Sequence, residues 1–578
     1  MKSFLTAFLG ALCAILLTIA MTAGVGSCYV GGGPEVEKRS WLVLELTGGI
    51  TEYDPPGGVL SQVTGGSPET LTRILDNMRK AEVDDRIEGV IFKVASGGAS
   101  SRAKGQEIRG AIARFLESGK PVHCWAESFG TTDYALLAAC PEILAAPTGY
   151  MELKGFSATS MHIRDALDKL GVRPQLHKIK DYKSAAEMMM NSEATESAKE
   201  NRRWIMEDLW QQFVEILEQD RDLGEDKILA LMEHAFFEGQ EAVDAGLVDR
   251  LAYWDELADE LKGDDDTLRV VDSGTYGQIE AESLGLKGKQ TIAVIHAQGT
   301  IMGRQSGVNP MLGMTLGHET IVAELRKARL DEDVAAVIVR VDSPGGDALG
   351  SDLMGHEVEV TAAVKPVVIS MVDVAASGGY HISYRGTRIL ADPMTVTGSI
   401  GSITGKFNAA GLYEKLGVGY DDSVSKGPMA HVHSDLRDYS EAEWERFTDN
   451  HWDGFNRWLR DVAEHRGMTF EEAEQLAHGR VWTGRQALQN GLVDELGDFH
   501  RAVEVARELA EIPADDKVTL AHFPKSQSLL ESLTGGDAAV GDAARWAVYT
   551  TLQRDIEQTL QYLAADSDPT VRAFVSGY

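Results

Sequence analysis

Cysteine is nearly absent: the chain has four, at Cys13, Cys28, Cys124 and Cys140. That excludes a disulfide-stapled scaffold, and no Cys/His cluster has the spacing of a metal site, so neither metal nor cofactor is expected. Cys124 and Cys140 fall in a strand and a helix and read as two buried thiols, with a disulfide between them the alternative in an exported protein. Bases are scarce as well. Fifty-five Lys and Arg stand against 89 Asp and Glu, a net charge of −34 spread along the sequence, which excludes nucleic acid as the expected partner and points to a well-solvated surface. Long apolar runs are missing with one exception, Phe4 to Val25, 22 residues without a charge. As a helix this run spans about 33 Å, enough to cross a hydrocarbon core. With only Lys2 before it, it reads as an uncleaved anchor that holds its amino end in the cytoplasm and the body outside.

A histidine-based catalytic arrangement is also lacking. The 15 histidines include His381 and His431, and none falls into a recognisable Ser/His/Asp pattern. What is present is Ala375-Ala376-Ser377-Gly378-Gly379-Tyr380, preceded by Asp342-Ser343-Pro344-Gly345-Gly346. Each follows a β-branched run, Pro366 to Val372 and Val337 to Val341, that reads as a buried strand. Two strand-to-glycine turns side by side in a parallel sheet aim the N–H groups of Gly346 and Gly378 at one point, where a tetrahedral oxyanion would sit. Ser377 is then a candidate nucleophile in want of a base.

The chain repeats itself. Tyr134 and Tyr380, Pro147 and Pro393, and Lys169-Leu170-Gly171-Val172 and Lys415-Leu416-Gly417-Val418 share an offset of 246. Val90 to Val94 answers Val337 to Val341 at 247, and Gly246 to Asp249 answers Gly491 to Asp494 at 245. Matches in that order mean two copies of one fold. The copies diverge at the chemistry: Thr131 stands where the second has Ser377, without the following glycines, whereas the position of Lys183 becomes Met429. Each half holds part of a site.

These residues resemble the long, two-repeat signal peptide peptidases, also called protease IV, which use a Ser/Lys dyad. The likeness runs from about residue 40 to about 525. It rests on Ser-Pro-Gly-Gly, Ala-Ala-Ser-Gly-Gly-Tyr, Thr397-Gly398-Ser399-Ile400-Gly401 and Tyr182-Lys183-Ser184-Ala185 in combination. The resemblance implies an α/β fold, a tandem repeat of two Clp protease/crotonase-like domains built as a superhelix of ββα units. It implies Ser377 as nucleophile, Lys183 as general base, Ser399 as the hydroxyl that orients the lysine, and Gly346 and Gly378 as the oxyanion hole. It further implies cleaved signal peptides as substrates, a homotetramer open toward the membrane, and a place at the bacterial inner membrane with the catalytic body outside the cytoplasm. His381 departs from the family, which often has an aromatic residue after the tyrosine.

The lysine assignment is physically demanding. A free lysine titrates near ~10.4, so a base near ~7 needs burial that costs its charged form about 4–5 kcal/mol; Tyr182, Ala185, Ala186 and Met188 to Met190 suit such a pocket. A rival, Lys426, lies three residues short of the Lys183 register and precedes Gly427-Pro428, a turn signal. Single-repeat relatives pair their serine with a lysine at about that place.

The expected organisation is a membrane anchor or signal segment over 1–28, a first repeat over 40–261, a polar linker over 262–289, a second repeat over 290–523 and a helical extension over 524–578. Long amphipathic helices are expected from Arg202 to Asp220 and from Glu441 to Arg466. At the amino end Val25-Gly26-Ser27-Cys28 is similar to a bacterial lipobox, which makes a lipidated Cys28 the alternative to the anchor. Two other readings of the whole chain remain: a crotonase-like acyl-CoA enzyme, against which the export segment and Ser377 both speak, and a non-catalytic membrane scaffold.

Overall fold

The β-branched runs of both copies become parallel strands buried on two faces, with helical crossovers. The computed structural model describes residues 36–53, 69–98, 102–309 and 312–525; those through Pro524 belong to one compact unit. The expected anchor over 4–25, Cys28 and the extension beyond Lys525 lie outside the described residues. Among the described residues no helix is long and apolar enough to cross a membrane.

In the first repeat β1 (Ser40–Leu46), β2 (Ile87–Val94), β3 (Val122–Phe129) and β4 (Ile143–Glu152) pair in parallel in the order β4-β3-β2-β1. Helices α1 (Leu71–Val83), α2 (Arg102–Glu117) and α3 (Thr131–Leu137) connect them, and α4 (Arg164–Leu170), β5 (Arg173–Lys178) and α5 (Glu196–Arg221) follow. The second repeat retraces this path. Strands β6 (Gln290–Gln298), β7 (Val334–Ser343), β8 (Val367–Ala376) and β9 (Val396–Gly398) pair in parallel in the order β9-β8-β7-β6. Their helices are α6 (His318–Leu330), α7 (Ala348–Ala362) and α8 (Gly378–Ser383), followed by β10 (Ile403–Asn408), α9 (Ala410–Lys415) and α10 (Glu441–Arg466). The chain returns through α11 (Phe499–Leu509). The two long amphipathic helices start where capping chemistry puts them: Thr195 accepts the Ala198 N–H, and Ser440 with Glu443 forms a capping box.

Each sheet has its own core, Leu42, Phe92 and Ile108 in the first and Ile295, Val339 and Ile369 in the second; Val372 of β8 reaches into the first core. Cys124 and Cys140 correct the sequence expectation: they form a disulfide, not two thiols. The short α3 turns the chain back on β3 and brings the two Cα atoms to 6.1 Å, within bonding range.

The repeats are joined by one two-stranded antiparallel sheet and a set of ion pairs, most of them buried. Strand β5 pairs antiparallel with β10. Helix α2 of the first repeat packs against the second sheet: Lys104 Nζ lies 2.8 Å from Asp342 and 3.1 Å from Asp373, and Arg114 lies 2.7 Å from Asp498. Arg340, in the middle of β7 and 1% exposed, donates two parallel hydrogen bonds to Glu52 at 2.7 and 2.8 Å, a third to Glu107 of α2 at 2.8 Å and a fourth to Ser370 at 3.0 Å. Removing one partner of such a buried set leaves an uncompensated charge, at a cost of about 3–5 kcal/mol.

One guanidinium cannot neutralise every carboxyl around it. Burial pushes Glu52 up, and the Arg340 guanidinium, with His296, more than reverses this, so Glu52 is held low. Burial and the neighbouring Glu52 and Asp498 charges push Glu107 up to about 7 against the pull of Arg340. Asp392, buried with its Oδ2 unpartnered, is raised by burial and by Glu107. A carboxyl raised on folding stabilises the native state at acid pH, and that contribution is lost as pH rises through the folded value. Thermal melts of the wild type between pH 5 and pH 8 are therefore expected to show a loss of stability that Glu107→Gln reduces; identical pH slopes for the two proteins would contradict this.

Candidate active site

Strand β8 delivers Ser377 to the start of α8, and the turn is strained. Ser377 has φ +56° and ψ −116°, a left-handed conformation that persists in a non-glycine residue only where the surroundings impose it. Its N–H donates to Gly398 O at 2.8 Å, and its carbonyl accepts the His381 N–H at 2.9 Å. The two following glycines are there for space: a Cβ on Gly378 would stand 2.4 Å from Ser351 Oγ, and one on Gly379 2.5 Å from Ser343 O.

The neighbouring turn after β7 abuts this one. Gly345, at φ +92°, has its Cα so close that a Cβ would sit 2.4 Å from the Gly378 nitrogen. The next residue, Gly346, bridges the short strand Thr300–Ile301: the Ile301 N–H donates to Gly345 O, and the Asp347 N–H donates to Ile301 O. In a parallel bridge of this pattern the N–H of Gly346 itself points the other way. The Gly378 N–H is one of the first-turn donors of α8 that no helical carbonyl can reach. Neither N–H has an acceptor among the described residues, so both are available to an oxyanion.

Lys183 arrives from the first repeat. Beyond β5 the pairing continues, with the Ile179 N–H donating to Ser402 O and the Tyr182 N–H donating to His478 O. Lys183 is 6% exposed. Its Nζ lies 2.9 Å from Ser377 Oγ, 2.8 Å from Ser399 O and 2.9 Å from Ser399 Oγ. Among the described residues no carboxylate forms an ion pair with it, and burial lowers it to about 7. A neutral amine fits the three contacts, giving two hydrogens to Ser399 and taking the Ser377 hydroxyl proton on its lone pair. Ser399, at φ +53°, is a second left-handed non-glycine position, tied by its N–H to Arg480 O at 2.7 Å.

The sequence reading missed a residue this approach requires. Gly479, at φ +79°, lies against the lysine backbone; a Cβ there would fall 2.4 Å from Lys183 N and 2.5 Å from its Cα. Within the sequence Ala477-His478-Gly479-Arg480 looks like any turn, because the reason for its glycine sits almost three hundred residues away. The rival Lys426 lies in the exposed irregular segment between α9 and α10, and Lys180, its counterpart, pairs with Glu474 at 3.0 Å.

The equivalent place in the first repeat is filled. Asp133, where the second repeat has Gly379, accepts the Gly97 and Gly130 N–H groups on one carboxylate oxygen, both at 2.9 Å. Thr131 Oγ1 accepts the Lys154 N–H at 3.1 Å. A built-in anion thus ties together the two turns that correspond to those around Ser377.

Comparison with known proteins agrees with this architecture. The model of "Peptidase family S49" matches residues 114–267 and again 359–513, once in each repeat. The chain is 32% identical over 515 residues to a chloroplastic serine protease SPPA of Arabidopsis thaliana, covering 88% of this chain and 75% of that protein. It is 31% identical over 529 residues to Protease 4 of Salmonella typhi, covering 86% and 82%. A putative signal peptide peptidase SppA of Enterococcus faecium is 35% identical over 188 residues, 32% of this chain and 54% of that one. Among solved structures, a membrane-bound stomatin-specific protease covers 41% of this chain and 99% of its own at 15% identity, with a TM-score of 0.26. Two matched repeats and relatives of this coverage place the chain in peptidase family S49, as a serine endopeptidase of the tandem-repeat type.

Proposed function

We propose that Ser377 is the nucleophile of this peptidase and Lys183 its general base, reaching across from the first repeat, with Ser399 orienting the lysine and Gly346 and Gly378 forming the oxyanion hole. The observation that carries the reading is the 2.9 Å contact between Lys183 Nζ and Ser377 Oγ, made by a buried lysine without a counter-ion. In acylation Ser377 Oγ attacks the scissile carbonyl, its proton passes to Lys183 Nζ, and the carbonyl oxygen becomes an anion that accepts the two glycine N–H groups. The ammonium then protonates the departing amine. In deacylation the neutral lysine takes a proton from water as the water oxygen adds to the acyl carbonyl, and the ammonium returns that proton to Ser377 Oγ as the acyl–oxygen bond breaks. A base near 7 is suited to giving and taking that proton at neutral pH.

The substrate class we assign is the cleaved signal peptide and other unfolded apolar peptides. The name of the Enterococcus faecium relative and the apolar segment Phe4 to Val25, which would hold the enzyme at a membrane, support it. We assign the body to the outer side of a bacterial inner membrane and the assembly to a homotetramer. The domain limits that accompany this reading are 40–261 for the lysine-bearing repeat and 290–523 for the serine-bearing one, joined by the linker over 262–289.

Ser377→Ala and Lys183→Ala are each expected to abolish cleavage of an apolar peptide ester, at least a thousandfold by the usual cost of losing a nucleophile or its base (~10³ or more), whereas Lys426→Ala retains most activity. Gly479→Ala is expected to lose activity with Lys183 intact, since the lysine backbone must retreat. An active Lys183→Ala beside a dead Lys426→Ala would sink the dyad across repeats. For the anchor, mass analysis of the purified full chain is expected to find residues 4–25 retained in a four-copy particle; a lipid-modified Cys28 at the amino end would contradict it.

A further inference from the structure

His381 stands four residues past Ser377, yet its ring is not turned toward the hydroxyl. It is 8% exposed, stacked on Trp458 of α10 with centroids 4.8 Å apart and planes 7° from parallel. Its Nε2 lies 3.4 Å from Asp352 Oδ1. Asp352 belongs to α7, the helix that starts just after Gly346. Arg385, one turn further on, lies 3.5 Å from the same oxygen and is itself held by Asp461, which also accepts the Tyr384 hydroxyl. Glu359 of α7 stands 3.6 Å from Arg385 Nε, and His465 of α10 packs edge-on against Tyr384. The two helices touch backbone to backbone here: a Cβ on Gly355 of α7 would be 2.8 Å from His381 O.

Helix α8 has six residues, too few to hold its shape without tertiary support, and it begins at a strained serine. Whatever fixes α8 against α7 fixes the nucleophile turn against the oxyanion turn, because Ser377 leads into one helix and Gly346 into the other. Within α8 the ring of His381 meets both supports, through its face to α10 and through its edge to α7; Arg385, just beyond the helix end, spans the same two helices through Asp461 and Glu359.

We propose that His381 is a positioning residue: through Trp458 and Asp352 it locks the helix that begins at Ser377 onto the helix that follows Gly346, and so sets where the serine hydroxyl stands relative to the two glycine N–H groups. This rests on Ser377 as the nucleophile. Burial pushes the imidazole below its ordinary range while Asp352 pulls the other way; the ring offers its face to Trp458 and its edge to Asp352.

The test uses the full chain with His381→Phe, which keeps the stack on Trp458 and loses the edge contact, Asp352→Ala, whose side chain is 54% exposed, and the double variant. Turnover of a peptide ester, the rate of Ser377 modification by a fluorophosphonate, and Tm are measured together. Each single variant is expected to lower kcat and the modification rate about tenfold or more, with KM within about twofold and an unshifted pH midpoint. The double variant is expected to be no worse than the singles, since both remove the same contact. Wild-type kcat in His381→Phe, losses that multiply in the double variant, or losses that track a fall in Tm would overturn the proposal. If Ser377→Ala is inactive while His381→Phe is fully active, this inference alone fails; if Ser377→Ala stays active, the dyad fails with it.

Discussion

One hydrogen bond, between the Lys183 amine and the Ser377 hydroxyl, sets the terms for the rest of the molecule. Its partners lie 194 residues apart in different repeats, so its length is an interface property. Its chemistry demands a lysine without its charge, and burial without a carboxylate supplies that condition. A counter-ion beside Lys183 would hold the proton. Among the described residues the hydrogen-bond partners of its amine are the Ser377 hydroxyl and the carbonyl and hydroxyl of Ser399.

Placing an uncharged lysine against a serine from another repeat requires docking with little play. The ion pairs around α2 and β7 meet that need by charge matching: the buried Arg340 with Glu52 and Glu107 and Lys104 with Asp342 and Asp373, and the part-buried Arg114 with Asp498. Desolvation takes back much of what such pairs gain in energy, but each fits one relative placement of the repeats. Arg340 and Asp342 lie two residues apart on β7, five and three residues before Gly345, so the same strand carries the docking charges and leads to the proposed oxyanion donors. Close backbone approach at Gly479 completes the fit between repeats, and at Gly345 and Gly379 it packs the two turns of the second repeat against each other, at positions where a methyl group would force the segments apart.

Much of this was legible in the sequence because it was written twice. The common offset of Lys169 to Val172 and Lys415 to Val418 set the copies in register, and the loss of Ser377's counterpart at Thr131 and of Lys183's at Met429 divided the site between them. The strands followed from β-branched runs and the two long helices from apolar residues at three- and four-residue spacing, although the first starts at Glu196, ahead of the expected Arg202. What stayed hidden depends on contacts between distant segments. The glycine at 479 answers to Lys183, Arg340 reads as a misfit in an apolar strand until Glu52 and Glu107 are seen opposite it, and Asp133 looks like an ordinary helix-start acid until its oxygen is found on Gly97 and Gly130. The disulfide between Cys124 and Cys140 escaped for the same reason, since the tight return of α3 has no signature in the spacing.

The central claim is that Lys183 is neutral at physiological pH because it is buried without a counter-ion. Its direct measure is the titration of the Lys183 side chain in the folded full-length protein, followed by the chemical shift of its labelled ε-carbon and assigned by comparison with Lys183→Arg. The account predicts a midpoint at about 7. A midpoint in the ordinary lysine range, near ~10.4, would contradict it.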